Sequence, residues 1–175
     1  MDKRMEANLR VKQSITDALF FLMQKKDLSG ITVTEIIETA KVARASFYRN
    51  YKSKEDVISV FISDVFERFR GDRDPATIDY KSRSHVKRIF VYFKMYAHYF
   101  MELYRANLSM LVLEELNNFQ SAIAGNMPAN SVERYSIYFY TGALFNTLTE
   151  WIKTGTSESV DDMTDVFCRQ IEALS

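Results

Sequence analysis

Residues 31–57, ITVTEIIETAKVARASFYRNYKSKEDV, constrain the fold of this chain more than any other stretch. They hold two short helical patterns around a break at Lys41-Val42, and a capping signal opens the helix on either side. Thr32 stands three residues before Glu35, the spacing at which a hydroxyl takes a free backbone N–H and the carboxylate reaches back to the cap. Ser53 and Asp56 repeat the spacing. The pattern predicts a helix from Thr32 through Ala40, with Ile36, Ile37 and Ala40 inward. A second follows from Ala43 to Tyr51, seated on Val42, Phe47 and Tyr51. A long one then runs from Ser53 through Val57, Val60, Phe61, Val65 and Phe66.

The rest of the chain reads the same way. With 5 Gly and 2 Pro in 175 residues there are few places to turn, so long helices are expected. Val11, Ile15, Ala18, Leu19, Leu22 and Met23 recur at amphipathic spacing and predict a helix over 7–24, stopped near Ser29-Gly30. The one clear linker is 71–79, with Asp72, Asp74 and Pro75. The expected fold is therefore all-α, a three-helix head with its connecting helix over 1–70 and a helical bundle over 71–175.

Composition narrows the function. Hydrophobic residues at 47% and charged residues at 26% describe a globular chain. The lone Cys168 excludes an internal disulfide and fits a reducing cytoplasm. The N-terminus is charged from Asp2 onward, so no secretory signal is expected, and no run reaches the ~18 apolar residues of a membrane span. No phosphate loop, nucleophile elbow or metal-ligand spacing occurs, so neither an enzyme nor a cofactor is expected. His85 and His98 read as helix-surface or satisfied polar residues, and Cys168 as a buried apolar side chain.

The zero net charge conceals an asymmetry. Residues 1–54 carry 11 Lys/Arg against 6 Asp/Glu, a net of +5, which the remainder of the chain balances. A basic head suits a polyanion, because phosphate contact dominates affinity for DNA. In the second short helix Arg44, Ala45, Tyr48 and Arg49 share the face opposite Phe47 and Tyr51. A helix that enters the major groove needs such an apolar back and a front with small residues. Ala45 and Ser46 permit close approach, and Arg44 can offer a bidentate contact to guanine. Tyr48, Asn50, Lys52 and Lys54, with the helix start at Thr32–Thr34, are placed for the sugar-phosphate backbone.

The stretch TVTEIIETAKVARASFYRNYKSKEDV resembles the DNA-binding domain of the TetR/AcrR family of regulators over about residues 8–60. Phe47-Tyr48-Arg49 with Tyr51, Ser53 and Lys54 is the most specific part. The resemblance implies an all-helical homodimer with an N-terminal helix-turn-helix and a C-terminal body that dimerises and often holds a small ligand. By position it implies base contacts from Arg44, Ala45 and Ser46 and phosphate contacts from Thr34, Tyr48, Asn50 and Lys54. Two positions depart from the family pattern. Lys41 stands where the turn generally has Gly, and Ala43 where the recognition helix often starts with Ser.

Beyond the linker the chain turns aromatic. Phe90, Tyr92, Phe93, Tyr96, Tyr99, Phe100 and Tyr104 crowd one stretch, and Phe119 and Met127 follow. Either they fill a core, or Phe93, Tyr96, Phe100 and Tyr104 line a pocket for a small hydrophobic or aromatic effector. A helix over 131–153 ends at Gly155, and another from Ser159 or Val160 presents Met163, Val166, Phe167, Ile171 and Leu174. These two helices read as the dimer interface, through Tyr138, Gly142, Phe145, Phe167 and Ile171. The leading expectation is a homodimeric repressor of transcription on a palindromic double-stranded operator, tuned by an effector. The other reading left open is an interaction protein of the same fold, acting through a partner protein with weak DNA contact, which Lys41 and Ala43 favour.

Overall fold

The computed structural model describes residues 3–74, 77–123, 125, 128, 131–132 and 134–173; Asp2, Pro75, Met127 and Leu174, named above, lie outside them. Among the described residues the regular structure is helical, with no strand. In order it comprises α1 (Lys3–Met23), α2 (Val33–Ala40), α3 (Arg44–Asn50), α4 (Lys54–Arg70), α5 (Arg83–Met95), α6 (Ala97–Arg105), α7 (Ser109–Ile123), α8 (Arg134–Lys153) and α9 (Val160–Ala173). The chain forms two compact units, 1–65 and 66–175, so the division falls inside α4 and ahead of the 71–79 linker. The reason is burial: Phe66 packs against Phe93, and Phe69 against Phe119 and Tyr92, so the last turn of α4 belongs to the second core.

In the first unit α1 packs on α2 and α3. Ile15, Leu19, Ile36, Phe47 and Val57 are fully buried, and the Phe20 and Phe61 rings meet at 5.0 Å. Helix α1 begins four residues earlier than the apolar pattern indicates, because its first turns are exposed and carry no core residue.

The second unit lays α9 along α5 and α7 along α8. Phe90, Leu103, Leu144, Leu148 and Trp151 form its centre, with Phe90 edge-on to Trp151 at 5.4 Å. Outside this core, Arg83 pairs with Asp161 and Asp165, and Lys87 with Asp161, which ties α5 to α9. Ser159 caps α9 by accepting the Asp162 N–H at 3.1 Å, as Ser82 caps α5 through His85. Gly155 lies at φ 77°, a left-handed conformation that ends α8 and that glycine adopts without a Cβ clash. No helix of the described residues is long and apolar enough to cross a membrane.

Candidate DNA-binding face and ligand cavity

The turn between α2 and α3 is set by backbone chemistry. Thr32 accepts the Glu35 N–H at 3.2 Å while the Glu35 carboxylate accepts the Thr32 N–H at 2.9 Å, a complete capping box. Lys26 adds its ammonium to the same carboxylate at 2.5 Å. That hydrogen bond, followed by the one from Thr32, holds the Glu35 pKa at about 2. At the other end of α2, Lys41 lies at φ 54°, ψ 42°, its N–H turned to the Glu38 carbonyl, and the Val42 N–H reaches Ile37. This pair of bonds is a Schellman closure, normally built on glycine.

Lys41 and Ala43 thus lead to two predictions. A left-handed non-glycine residue costs about 1–2 kcal/mol, and glycine returns part of that through its freer unfolded chain. Lys41→Gly is therefore expected to stabilise the head by up to about 1 kcal/mol. Ala43 caps α3 without a side-chain hydrogen bond. Ala43→Ser is expected to add about 1 kcal/mol. The urea midpoint of each variant checks these values, and a lowered midpoint contradicts them.

Helix α3 has the two faces that its spacing predicts. Phe47 is fully buried and Tyr51 nearly so, their rings 5.9 Å apart, while Arg44, Ala45, Tyr48 and Arg49 are exposed. Arg44 donates to the Thr34 hydroxyl at 3.3 Å and lies over the Tyr48 ring at 5.6 Å. Three of the predicted contact residues, one from α2 and two from α3, are therefore gathered on one exposed patch. Arg49, which donates to the half-buried Ser46 at 3.2 Å, adds a cation to it. Its sequence signal was its position one turn after Ala45. Lys52 is exposed at the end of α3.

Two of the residues expected to reach the sugar-phosphate backbone are engaged inside the head. Asn50 is half-buried and exchanges amide hydrogen bonds with Asn8 at 3.0 and 3.1 Å, while also donating to the Ser46 carbonyl. Lys54 donates to the carbonyls of Leu28, Ser29 and Ile31 at 2.6, 3.1 and 2.8 Å. An ammonium has three N–H groups, so this arrangement uses all of them on the turn that precedes α2.

In the second unit an open cleft lies between α5, α6, α7 and α8, with about 350 Å³ of space when the open solvent at its mouth is included. Phe93, Phe100 and Tyr104 line it, with Phe93 and Phe100 stacked at 4.5 Å. Tyr96 does not line it. Helix α5 ends at Met95, so Tyr96 sits at the corner, its ring 5.0 Å from Tyr92. The opposite wall comes from Phe145, Leu148, Thr149 and Ile152 of α8.

Of the residues expected at a dimer interface, Phe145 faces this cavity and Phe167 is buried within the unit, against Tyr140 at 5.4 Å and Phe90 at 6.2 Å. Ile171 is half-buried. Tyr138 is exposed and belongs to a stripe with Tyr135, Phe139 and Gly142 along α8, and nothing lies within 4 Å of where a Cβ on Gly142 would stand. Val166 of α9 is exposed as well. His85 corrects another expectation: it is 5% exposed, between Phe69 and Phe119, and among the described residues its Nε2 has no partner. The described residues hold no group of three or more His, Cys, Asp or Glu side chains able to bind a metal ion.

The first unit is thus a capped helix-turn-helix with a cationic exposed face on α3. Residues 15–59 match the family model described as bacterial regulatory proteins, tetR family. It is 40% identical over 53 residues to an uncharacterized HTH-type transcriptional regulator, YxbF of Bacillus subtilis, covering 30% of this chain and 14% of that one. Against the HTH-type dhaKLM operon transcriptional activator DhaS of Lactococcus lactis it is 24% identical over 122 residues, 63% of this chain and 65% of the relative. The chain thus spans less than two thirds of either curated relative. Among solved structures, the dihydroxyacetone kinase operon activator DhaS shares the fold at a TM-score of 0.67 and 17% identity, covering 94% of this chain and 95% of that one. A TetR transcriptional regulator from Streptococcus agalactiae does so at 0.65 and 20%, covering 96% and 97%.

Proposed function

We propose that this regulator acts as a homodimer that represses transcription from a palindromic operator and is tuned by a small hydrophobic or aromatic effector. The observation that carries the DNA reading is the α3 face, where Arg44, Ala45, Tyr48 and Arg49 are exposed while Phe47 is fully buried behind them. Arg44, Ala45 and Ser46 read base edges in this reading. Thr34, Tyr48 and Lys52 hold phosphates, and Asn50 and Lys54 keep the scaffold in shape.

Dimerisation is assigned to the exposed stripe of Tyr135, Tyr138, Phe139 and Gly142 on α8, with Val166 on α9. Such an aromatic row beside a small residue suits close packing of a second helix. The same helix turns Phe145, Leu148 and Ile152 toward the cavity. A ligand there therefore acts on the element that sets the spacing of two protomers, which is the differential contact that regulation requires. The setting is the cytoplasm, where DNA and reduced Cys168 coexist.

Selection of bound sequences from a random duplex library tests the reading. The expected result is an enriched palindrome with half-sites about one helical turn apart or somewhat more. Arg44→Ala is expected to cost about 1–3 kcal/mol and to relax preference at one position of each half-site. Tyr48→Phe weakens all sequences alike. Absence of enrichment from a folded dimer, or binding indifferent to salt, overturns the DNA reading. A reporter carrying the enriched site fixes the sign: repression is expected, and activation, the role printed in the name of DhaS, overturns that part.

A further inference from the structure

The cavity of the second unit is lined mostly by apolar side chains. Phe93 and Phe100 stack on one side, and Leu148 and Ile152 stand opposite. Tyr104, Ser109, Thr149 and Lys153 are its polar lining residues. The Lys153 ammonium lies 5.1 Å from the centre of the Tyr104 ring and 2.6 Å from a carboxylate oxygen of Glu150. Glu150 is 67% exposed at its side chain and Lys153 33% exposed, so their ion pair stands at the solvent boundary, where such pairs contribute little. Hydrogen bonding to Glu150 first, and then to Tyr104, keeps the ammonium charged.

We propose that this cavity binds an amphipathic monocarboxylate of the aryl-alkanoate type, its ring between Phe100 and Leu148 and its carboxylate exchanging with Glu150 as the partner of Lys153. Stacked aromatic walls favour an aryl group over a branched aliphatic one. A single cation with an acidic neighbour at its side accepts one negative charge and repels a second. A neutral ligand would leave the Lys153–Glu150 pair as it is and gain only apolar burial. This inference rests on the reading of the cavity as an effector site and is independent of what the head binds.

The test is calorimetric titration of the full chain with 4-phenylbutyrate, 4-phenylbutanol and 4-phenylbutylamine, with the emission of Trp151, next to Ile152 and Lys153 in sequence, as a second readout. The acid is expected to bind at least tenfold more tightly than the alcohol, and the amine most weakly. Lys153→Met should bring acid and alcohol to similar affinity. Glu150→Gln should tighten the acid several-fold and leave the alcohol unchanged, because the ligand then has no rival for the ammonium. Equal binding of acid and alcohol to the unaltered chain, or acid preference surviving Lys153→Met in a protein with unchanged circular dichroism, overturns the carboxylate assignment and leaves the cavity as a ligand site. Failure of all three to bind overturns the cavity itself as a site for such effectors.

Discussion

Phe47→Ala is expected to destabilise the head by about 3–5 kcal/mol and to abolish operator binding with it. Phe47 is fully buried, edge-on to Tyr48 at 5.4 Å and tilted against Tyr51 at 5.9 Å, so it joins the recognition face to the core behind it. Removing the ring leaves a cavity under a helix of 7 residues, too short to hold its shape without packing. Since a domain is stable by only about 5–15 kcal/mol, a loss of this size is a large share of the total. Urea unfolding followed by circular dichroism measures it. The control is Tyr48→Phe, which keeps the ring at a half-exposed position and should change stability by less than about 0.5 kcal/mol. A Phe47→Ala midpoint matching that of Tyr48→Phe contradicts the packing account.

The second large effect is acid destabilisation through His85. Burial against Phe69 and Phe119, reinforced by the charge of Arg73 and opposed by Asp79, lowers its pKa from 6.5 to about 4. Above pH 6.5 the imidazole is neutral in both folded and unfolded chains, and it adds no pH dependence. As pH falls from 6.5 toward 4 the unfolded chain takes up a proton that the folded one refuses, so stability declines across that window. A shift of this size corresponds to roughly 3 kcal/mol once pH is below both values. His85→Phe retains an aromatic ring between Phe69 and Phe119 and removes the titration. The difference in urea midpoint between the two proteins is expected to grow in favour of the variant as pH drops from 6.5 to 4. A difference that stays constant with pH assigns acid sensitivity to other groups.

What the chain reveals by inspection is local. The Thr32–Glu35 box and the two faces of α3 follow from spacings of three or four residues, because helix geometry fixes which neighbours share a face. Exposure of Arg44, Ala45, Tyr48 and Arg49 was legible for the same reason.

Tertiary structure alone decided which partner each face meets. Asn50 and Lys54 have the composition of phosphate ligands, yet a distant Asn8 and the carbonyls of residues 28–31 occupy them. Phe145 and Phe167 carry the apolar signature of an interface, which is the same signature as a cavity wall or a core. His85 reads as an ordinary helix residue until Phe69 and Phe119 close over it. Periodicity records that a side chain leaves water; only the packing of segments far apart in sequence determines what replaces the water.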